Sequence, residues 1–245
     1  MGLRLLCVGA HPDDECFAFG GALALAAAHG VETSVLCLTD GQAAMHRGSA
    51  TSGQELGKMR SEEFAASCDV LGVAQHEMLA YQDARLEFEP LAKIAGDILE
   101  RIRSFRPHVV VTFGLDGGAN THPDHTAVSA ATSAAFHWAG NPKRLLDRGP
   151  LWQPQRLFHQ TTNFFLPDRH KPLPAPWTLA LDIGSVFEKK MEAFRKHTSQ
   201  APLEQQVRGL FQLHGQKEYY TLAASLVPQP SVQSTDMFEA IADET

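Results

Sequence analysis

Apolar residues recur along this chain in two alternating rhythms. The run at 3–8, LRLLCV, is nearly continuous and is closed by Gly9, and the Ala/Leu-rich stretch at 20–29 stops at Gly30, a residue type common just past a helix end. These spell a strand, a loop and a helix. VETSVLCLTDG at 31–41 reads as a second buried strand with its loop, and 53–72 as an amphipathic helix with Leu56, Met59, Phe64, Cys68 and Leu71 near helical spacing. HEMLAY at 76–81 is a third strand, 89–105 a third helix bearing Leu91, Ile94, Ile98 and Ile102, PHVVVTFG at 107–114 a fourth strand, and 122–140 a fourth helix.

Strands this apolar, each followed by a helix, are expected where helices cover both faces of a parallel sheet, because parallel neighbours need crossover connections. The predicted fold class is therefore α/β: a Rossmann-like, doubly wound, mostly parallel sheet flanked by helices. Beyond residue 140 the texture changes to Pro-rich segments at 141–155 and 164–177 around a strand at 156–162, then a strand at 178–183 and helices at 186–198 and 202–215. We expect one domain over 1–227, with 228–245 as a C-terminal extension, polar enough to be a loose tail or an edge contact.

Composition narrows the function classes. Among 245 residues, 21 Lys and Arg stand against 28 Asp and Glu, a formal charge of −7 with no basic block, so nucleic acid is not an expected partner. The longest apolar segment, 17–28, is well short of the roughly 20 residues of a membrane span, and the N-terminus lacks the features of a signal peptide. The four cysteines form no CxxC, and Cys7 and Cys37 fall inside apolar strands, which fits a reduced, cytoplasmic compartment. The Pro-rich loops after Asn141 are candidates for shaping a substrate mouth or a contact between copies, so a homo-oligomer stays open.

The candidate chemistry lies at two strand ends. AHPDDE follows the first strand and THPDHT follows the fourth. In doubly wound sheets ligands bind beyond the carboxyl ends of the strands where strand order reverses, and strands one and four commonly flank that point. His11, Asp13, Asp14, Glu15, His122, Asp124 and His125 would meet there. Each proline is expected to open a helical turn, with His11 and His122 at N-cap positions and Asp14 and His125 three residues on, sharing their helix faces. Mixed His and Asp donors suit a borderline divalent ion such as zinc, which in hydrolytic sites takes three protein ligands and keeps a position open for water. Either motif alone could equally be a solvated helix start, where acids favour the positive dipole end; two copies at one sheet edge favour a metal site.

With these motifs the sequence resembles the LmbE-like, or PIG-L, family of zinc-dependent N-deacetylases. LTDG at 38–41, MRSEEFAASCDVLGV at 59–73, YQDARL at 81–86 and FEKKMEAFRKHTSQ at 187–200 extend the similarity. The resemblance implies His11, Asp14 and His125 as metal ligands for Zn2+ or another divalent ion such as Fe2+. It implies Asp13 as the general base, its pKa lowered by the neighbouring cation, and His122 as the oxyanion stabiliser, kept protonated by Asp124. Arg60 and Asp83 fall where the family recognises substrate; Arg60 could instead pair with Glu63, and Asp83 could cap a turn. Glu15 is expected to support the first helical turn rather than bind metal. His197, Ser199 and Gln200 match a family segment near the site, whereas His29, His46, His137 and His159 read as ordinary packing or surface residues. Some family members carry a tyrosine two residues before the second motif; here Asn120 stands there, a candidate substitute donor.

The expected function is a metal-dependent hydrolase that removes an acetyl or other acyl group from an amine of a sugar-like small molecule. Three alternatives stay open: a two-metal phosphoesterase, a non-catalytic metal-binding module, and a nucleotide-binding module. The last is opposed by the absence of GxGxxG and GxxxxGK[ST].

Overall fold

The computed structural model describes residues 2–164, 174–228 and 234–242. Its sheet has the order β3-β2-β1-β4-β5-β7-β6. Strands β1 (Arg4–Gly9), β2 (Glu32–Thr39), β3 (Gln75–Tyr81), β4 (Val109–Phe113) and β5 (Arg156–Thr161) run parallel. The register sets Cys7 beside Val35 on one side and Val111 on the other. Strand order reverses between β1 and β4, so the two HPD motifs do leave adjacent strands.

Side chains of β1 alternate between two cores, as the two-residue period of a strand requires. Leu5 and Cys7 join Val35, Cys37, Val109 and Val111 on one face, while Leu6 and Val8 join Leu36, Leu38 and Val110 on the other. The first face is covered by α1 (Asp14–Phe17), α2 (Gly20–Ala28), α3 (Gly53–Leu71) and α6 (Phe187–Lys196); α4 (Leu91–Phe105) and α5 (Pro123–Ala139) cover the second. In α4, Ile94, Ile98 and Ile102 are buried and Leu91 is exposed. All four cysteines are buried and free.

Two strands complete the sheet after β5. The predicted strand at 178–183 is β6 (Leu179–Asp182), on the edge, and between it and β5 lies β7 (Lys217–Ser225), antiparallel to both. Strand β7 follows α7 (Ala201–His214) and was not expected from the sequence. Its alternation is weak, exposed and half-buried residues interrupting the buried Glu218 and Tyr220. Much of the Pro-rich segment at 164–177 and part of the tail lie outside the described residues. The described part of the tail packs on the body: Ser234 bridges to Leu179, Met237 is in the core, and the Met237 carbonyl accepts from Arg156.

Candidate active site

The loop after β1 departs from expectation. Pro12 does not open a helix; α1 starts at Asp14, and its N-cap is Asp13 at φ 104° and ψ −23°. The cause is a tight reversal in which the Asp14 carboxylate reaches back to accept from the Ala10 and His11 backbone N–H groups, both at 2.8 Å. The Asp13 N–H donates forward to Glu15 Oε2 at 2.9 Å. A non-glycine residue in the left-handed region is strained, and such strain gathers at functional sites. The second motif behaves as expected: His122 is the N-cap of α5 and Pro123 opens the helix.

Residues from the two motifs converge. His125 Nε2 lies 3.3 Å from His11 Nδ1 and 3.3 Å from Asp14 Oδ1, and His11 Nδ1 lies 3.9 Å from Asp14 Oδ2. Donors bonded tetrahedrally to zinc at about 2.0–2.1 Å stand about 3.3 Å apart, so the spacing suits such an ion. The outward ring atoms are engaged as metal-binding histidines require. His125 Nδ1 donates to the Gly117 carbonyl at 3.1 Å, and its ring stacks on Phe113 with centroids 3.8 Å apart. Gly117 has φ 80°, and a Cβ there would come within 2.8 Å of the His122 carbonyl oxygen.

His11 Nε2 is shared by Asp83 Oδ1 at 3.0 Å and Asp124 Oδ2 at 3.2 Å. A nitrogen facing two carboxylates carries the proton, which leaves Nδ1 as the lone-pair donor toward the centre. Asp124, expected against the His122 ring, is therefore turned the other way. Its helix position lies off the face shared by 122 and 125, and its oxygens also accept from the N–H groups of Ala84 at 2.7 Å and Leu86 at 3.1 Å. His122 Nδ1 accepts instead from the Asp124 backbone N–H at 3.1 Å, so its proton is on Nε2. Burial, together with repulsion from His11 and His125, holds the His122 pKa below the usual imidazole value. The expected protonated His122 is thus replaced by a neutral donor.

Charge around the centre is arranged for a cation. Burial disfavours the charged His11, but Asp124, Asp83 and Asp14 outweigh it and raise its pKa to about 10. Burial also opposes ionisation of Asp14, yet His125 and His11 hold it well below the carboxylate range. Asp13 differs: burial, with Asp14 and Glu15 nearby, raises it to about 6 against the pull of Arg60. The lowering expected from an adjacent metal is not supplied by Arg60 alone.

Arg60 is buried and does not pair with Glu63. Its guanidinium donates to Asp13 Oδ2 at 3.1 Å, to the Gly41 carbonyl at 3.1 Å and to the Pro12 carbonyl. Gly41, at φ 67°, leaves no room for a side chain beside that guanidinium. Glu63 accepts instead from Thr198 and Ser199. Glu15 is 1% exposed and accepts from Ser67 at 2.6 Å and pairs with His197 Nε2 at 2.6 Å. Asp83 Oδ2 accepts from the Ala43 N–H at 3.0 Å, so both its oxygens are held by protein. Asn120 is exposed, and its Oδ1 accepts from the His122 N–H at 3.3 Å.

One cavity of about 440 Å³ contains the motif residues His11, Asp13, Asp14, His122 and His125, and Arg60, Asp83 and Asn120 border it. This is the size of a small-molecule site. His46, read as ordinary, and Gln200 also border it, joined by a hydrogen bond from the Gln200 amide to the His46 carbonyl at 3.1 Å. Nothing in the sequence around His46 marks it. Beside His11, His122 and His125 at the centre itself, two further groups could offer donor atoms: His11, Asp83 and Asp124 on the outer side of the His11 ring, and Glu15, Cys16 and His197 below the loop. The carboxylates of the first and Glu15 of the second already receive protein N–H or O–H groups, and all three residues of the second are buried.

The centre between His11, Asp14 and His125, facing a cavity at the carboxyl edge of a doubly wound sheet, can hold a divalent ion. The chain belongs to the PIG-L family, GlcNAc-PI de-N-acetylase, which it matches over residues 6–136. It is 31% identical to a 1D-myo-inositol 2-acetamido-2-deoxy-alpha-D-glucopyranoside deacetylase of Rhodococcus jostii, covering 80% of this chain and 81% of the relative. Two solved structures share the fold. The N,N'-diacetylchitobiose deacetylase of Pyrococcus horikoshii superposes with a TM-score of 0.73 at 22% identity over 89% of this chain and 83% of its own. GalB, a 4-carboxy-2-hydroxymuconate hydratase from Pseudomonas putida, gives 0.71 at 20% identity over 94% of this chain and 99% of its own. A hydratase thus shares the fold, so the fold alone does not fix the reaction.

Proposed function

We propose that this protein is a metal-dependent N-deacylase that hydrolyses the acetamide of a GlcNAc-type amino sugar or conjugate to acetate and the free amine. The observation that carries the reading is the joint placement of three donors, His11 Nδ1, His125 Nε2 and the Asp14 carboxylate, beside Asp13. Asp13 Oδ2 is held by Arg60, and its Oδ1 carries no protein hydrogen bond among the described residues. The acetamide-cleaving activity of the Rhodococcus relative supports the substrate class. Two imidazoles and a carboxylate suit zinc, and also ferrous ion. Such an ion, when bound, polarises the substrate carbonyl and lowers the pKa of water in its open position.

The chain's own groups do the remaining work. Asp13, ionised, accepts a proton from the attacking water and returns it to the departing nitrogen, completing C–N cleavage. Arg60 fixes the Asp13 carboxylate and opposes its protonation. His122 presents Nε2–H to the oxygen that gains charge as the carbonyl becomes tetrahedral, a role a neutral imidazole fills by hydrogen bonding. Asp124 and Asp83 hold the His11 tautomer and are positioning residues, as is Arg60. The exposed Asn120 amide is assigned to substrate. Four free buried cysteines support a reducing, cytoplasmic setting.

The test is amine release from a panel of N-acetyl amino sugars by protein as purified, after chelation, and after readdition of zinc or ferrous ion. Release that is lost on chelation and restored by metal is expected; full release by the metal-free protein would overturn the reading.

A further inference from the structure

Helix α7 carries Leu203, Val207, Leu210, Phe211 and His214 at helical spacing. Such a stripe ordinarily packs on a core. Here only part of it does: Val207 joins the core and Leu203 and Phe211 pack against it, whereas Leu210 packs in neither core. All five border the cavity that contains His11, Asp13 and His125. Phe17, one turn beyond Asp14, extends the same wall, its ring 5.2 Å from that of Phe211. Some polar groups along this arm are already engaged. Lys190 Nζ is bound to Glu218 at 2.6 Å, the Tyr219 hydroxyl accepts from Asn163 at 3.1 Å, and the His214 ring stacks on Phe164 at 5.0 Å. Gln206 on the exposed side of the helix, the exposed Lys217 and the His214 ring nitrogens carry no protein hydrogen bond or ion pair among the described residues.

A cavity with a charged floor and an apolar arm accepts an amphipathic molecule, since a polar group laid against Leu203, Val207, Leu210, Phe211 and Phe17 would lose water without finding partners there, Gln206, His214 and Lys217 being the polar groups left to meet it. We propose that the α7 wall is a subsite for an apolar alkyl or aryl substituent of the substrate, so that the preferred substrate is an N-acyl amino sugar bearing such a group. This deepens the deacylase reading and rests on it. The substituent can enter as the N-acyl chain or as the aglycone, which share this chemistry.

Two substrate series separate those sources: methyl to hexyl β-glycosides of N-acetylglucosamine, and N-acetyl to N-hexanoyl glucosamine. We expect kcat/KM to rise roughly two- to fourfold per added methylene along one series, the range set by burying a methylene fully or in part. L210S, and V207S at the more buried position, should cut the hexyl-to-methyl or hexanoyl-to-acetyl ratio roughly tenfold, with circular dichroism confirming that each variant is folded. In parallel, calorimetric Kd values for hexyl and methyl β-D-glucoside, which have no amide, read the subsite without catalysis. Tighter hexyl binding that weakens in L210S supports it even if no substrate is turned over, an outcome that would fail only the deacylase reading. Amine release that is flat along both series, or hexyl glucoside binding no tighter than methyl, overturns the subsite.

Discussion

Replacing Asp124 with asparagine perturbs the centre through a residue that lines none of its inner surface. The carboxylate is fully buried and holds three donors: His11 Nε2 at 3.2 Å, and the backbone N–H groups of Ala84 and Leu86 at 2.7 and 3.1 Å. An asparagine keeps the shape but removes the charge and offers one acceptor oxygen, so its amide N–H groups must face one of these donors. A hydrogen bond to a charged partner contributes about 1.5–3 kcal/mol, which corresponds to roughly 10–100-fold in metal affinity, the range seen for outer residues of this kind. Asp83 still holds His11 at 3.0 Å, so D124N should fall near the tenfold end and the D83N/D124N pair well beyond it. The orphaned backbone donor adds a separate cost of about 1–3 kcal/mol in stability, read as a fall in Tm of about 2–4 °C per kcal/mol for a chain of this size. Zinc affinity from chelator competition and Tm from calorimetry report the two effects independently. A lowered Tm with unchanged zinc affinity would refute the role in orienting His11 and leave Asp124 as a cap for the loop at 84–86.

R60Q removes the cation that opposes protonation of Asp13, so the acid limb of kcat against pH, with Asp13 at about 6 in the metal-free structure, should move to higher pH; a raised KM with an unmoved limb would instead make Arg60 a substrate contact. Metal binding must displace a proton from His11, whose pKa stands at about 10, so zinc affinity should weaken as pH falls, and calorimetry in buffers of different ionisation enthalpy should find about one proton released near pH 7. E218A deletes a carboxylate that accepts from Gly21 N–H at 2.7 Å, Ala22 N–H at 2.8 Å, Lys190 at 2.6 Å and Tyr220 at 2.7 Å. It leaves a buried lysine unpaired, for which a loss of about 3–5 kcal/mol is expected in urea unfolding.

Much of the architecture could be read from local pattern because strands buried on both faces write continuous apolar runs, and because each HPD motif directly follows one of them. The side chains proposed as donors could be singled out for the same reason: they lie within four residues of a strand end or helix start. What escaped was non-local. Asp83 and Asp124 meet on His11 Nε2 although 41 residues separate them in the chain, and no spacing announces that contact. Strand β7 escaped because its half-buried positions blur the alternation, and with it went Glu218, the carboxylate that satisfies the first N–H groups of α2. The loop at 11–14 misled for a physical reason. Proline there suggested a helix start, but the Asp14 carboxylate binds the N–H groups before it and forces Asp13 into the left-handed region, a reversal that depends on the folded loop rather than on any residue's intrinsic preference.

The central claim, that His11, Asp14 and His125 hold a metal and Asp13 moves the proton, is tested most directly by measuring bound zinc and amine release side by side for D13A and H11A. The account predicts that D13A keeps about one zinc per chain yet loses most of its turnover, while H11A loses both. A D13A variant that retains turnover, or an H11A variant that keeps zinc and activity, would contradict it.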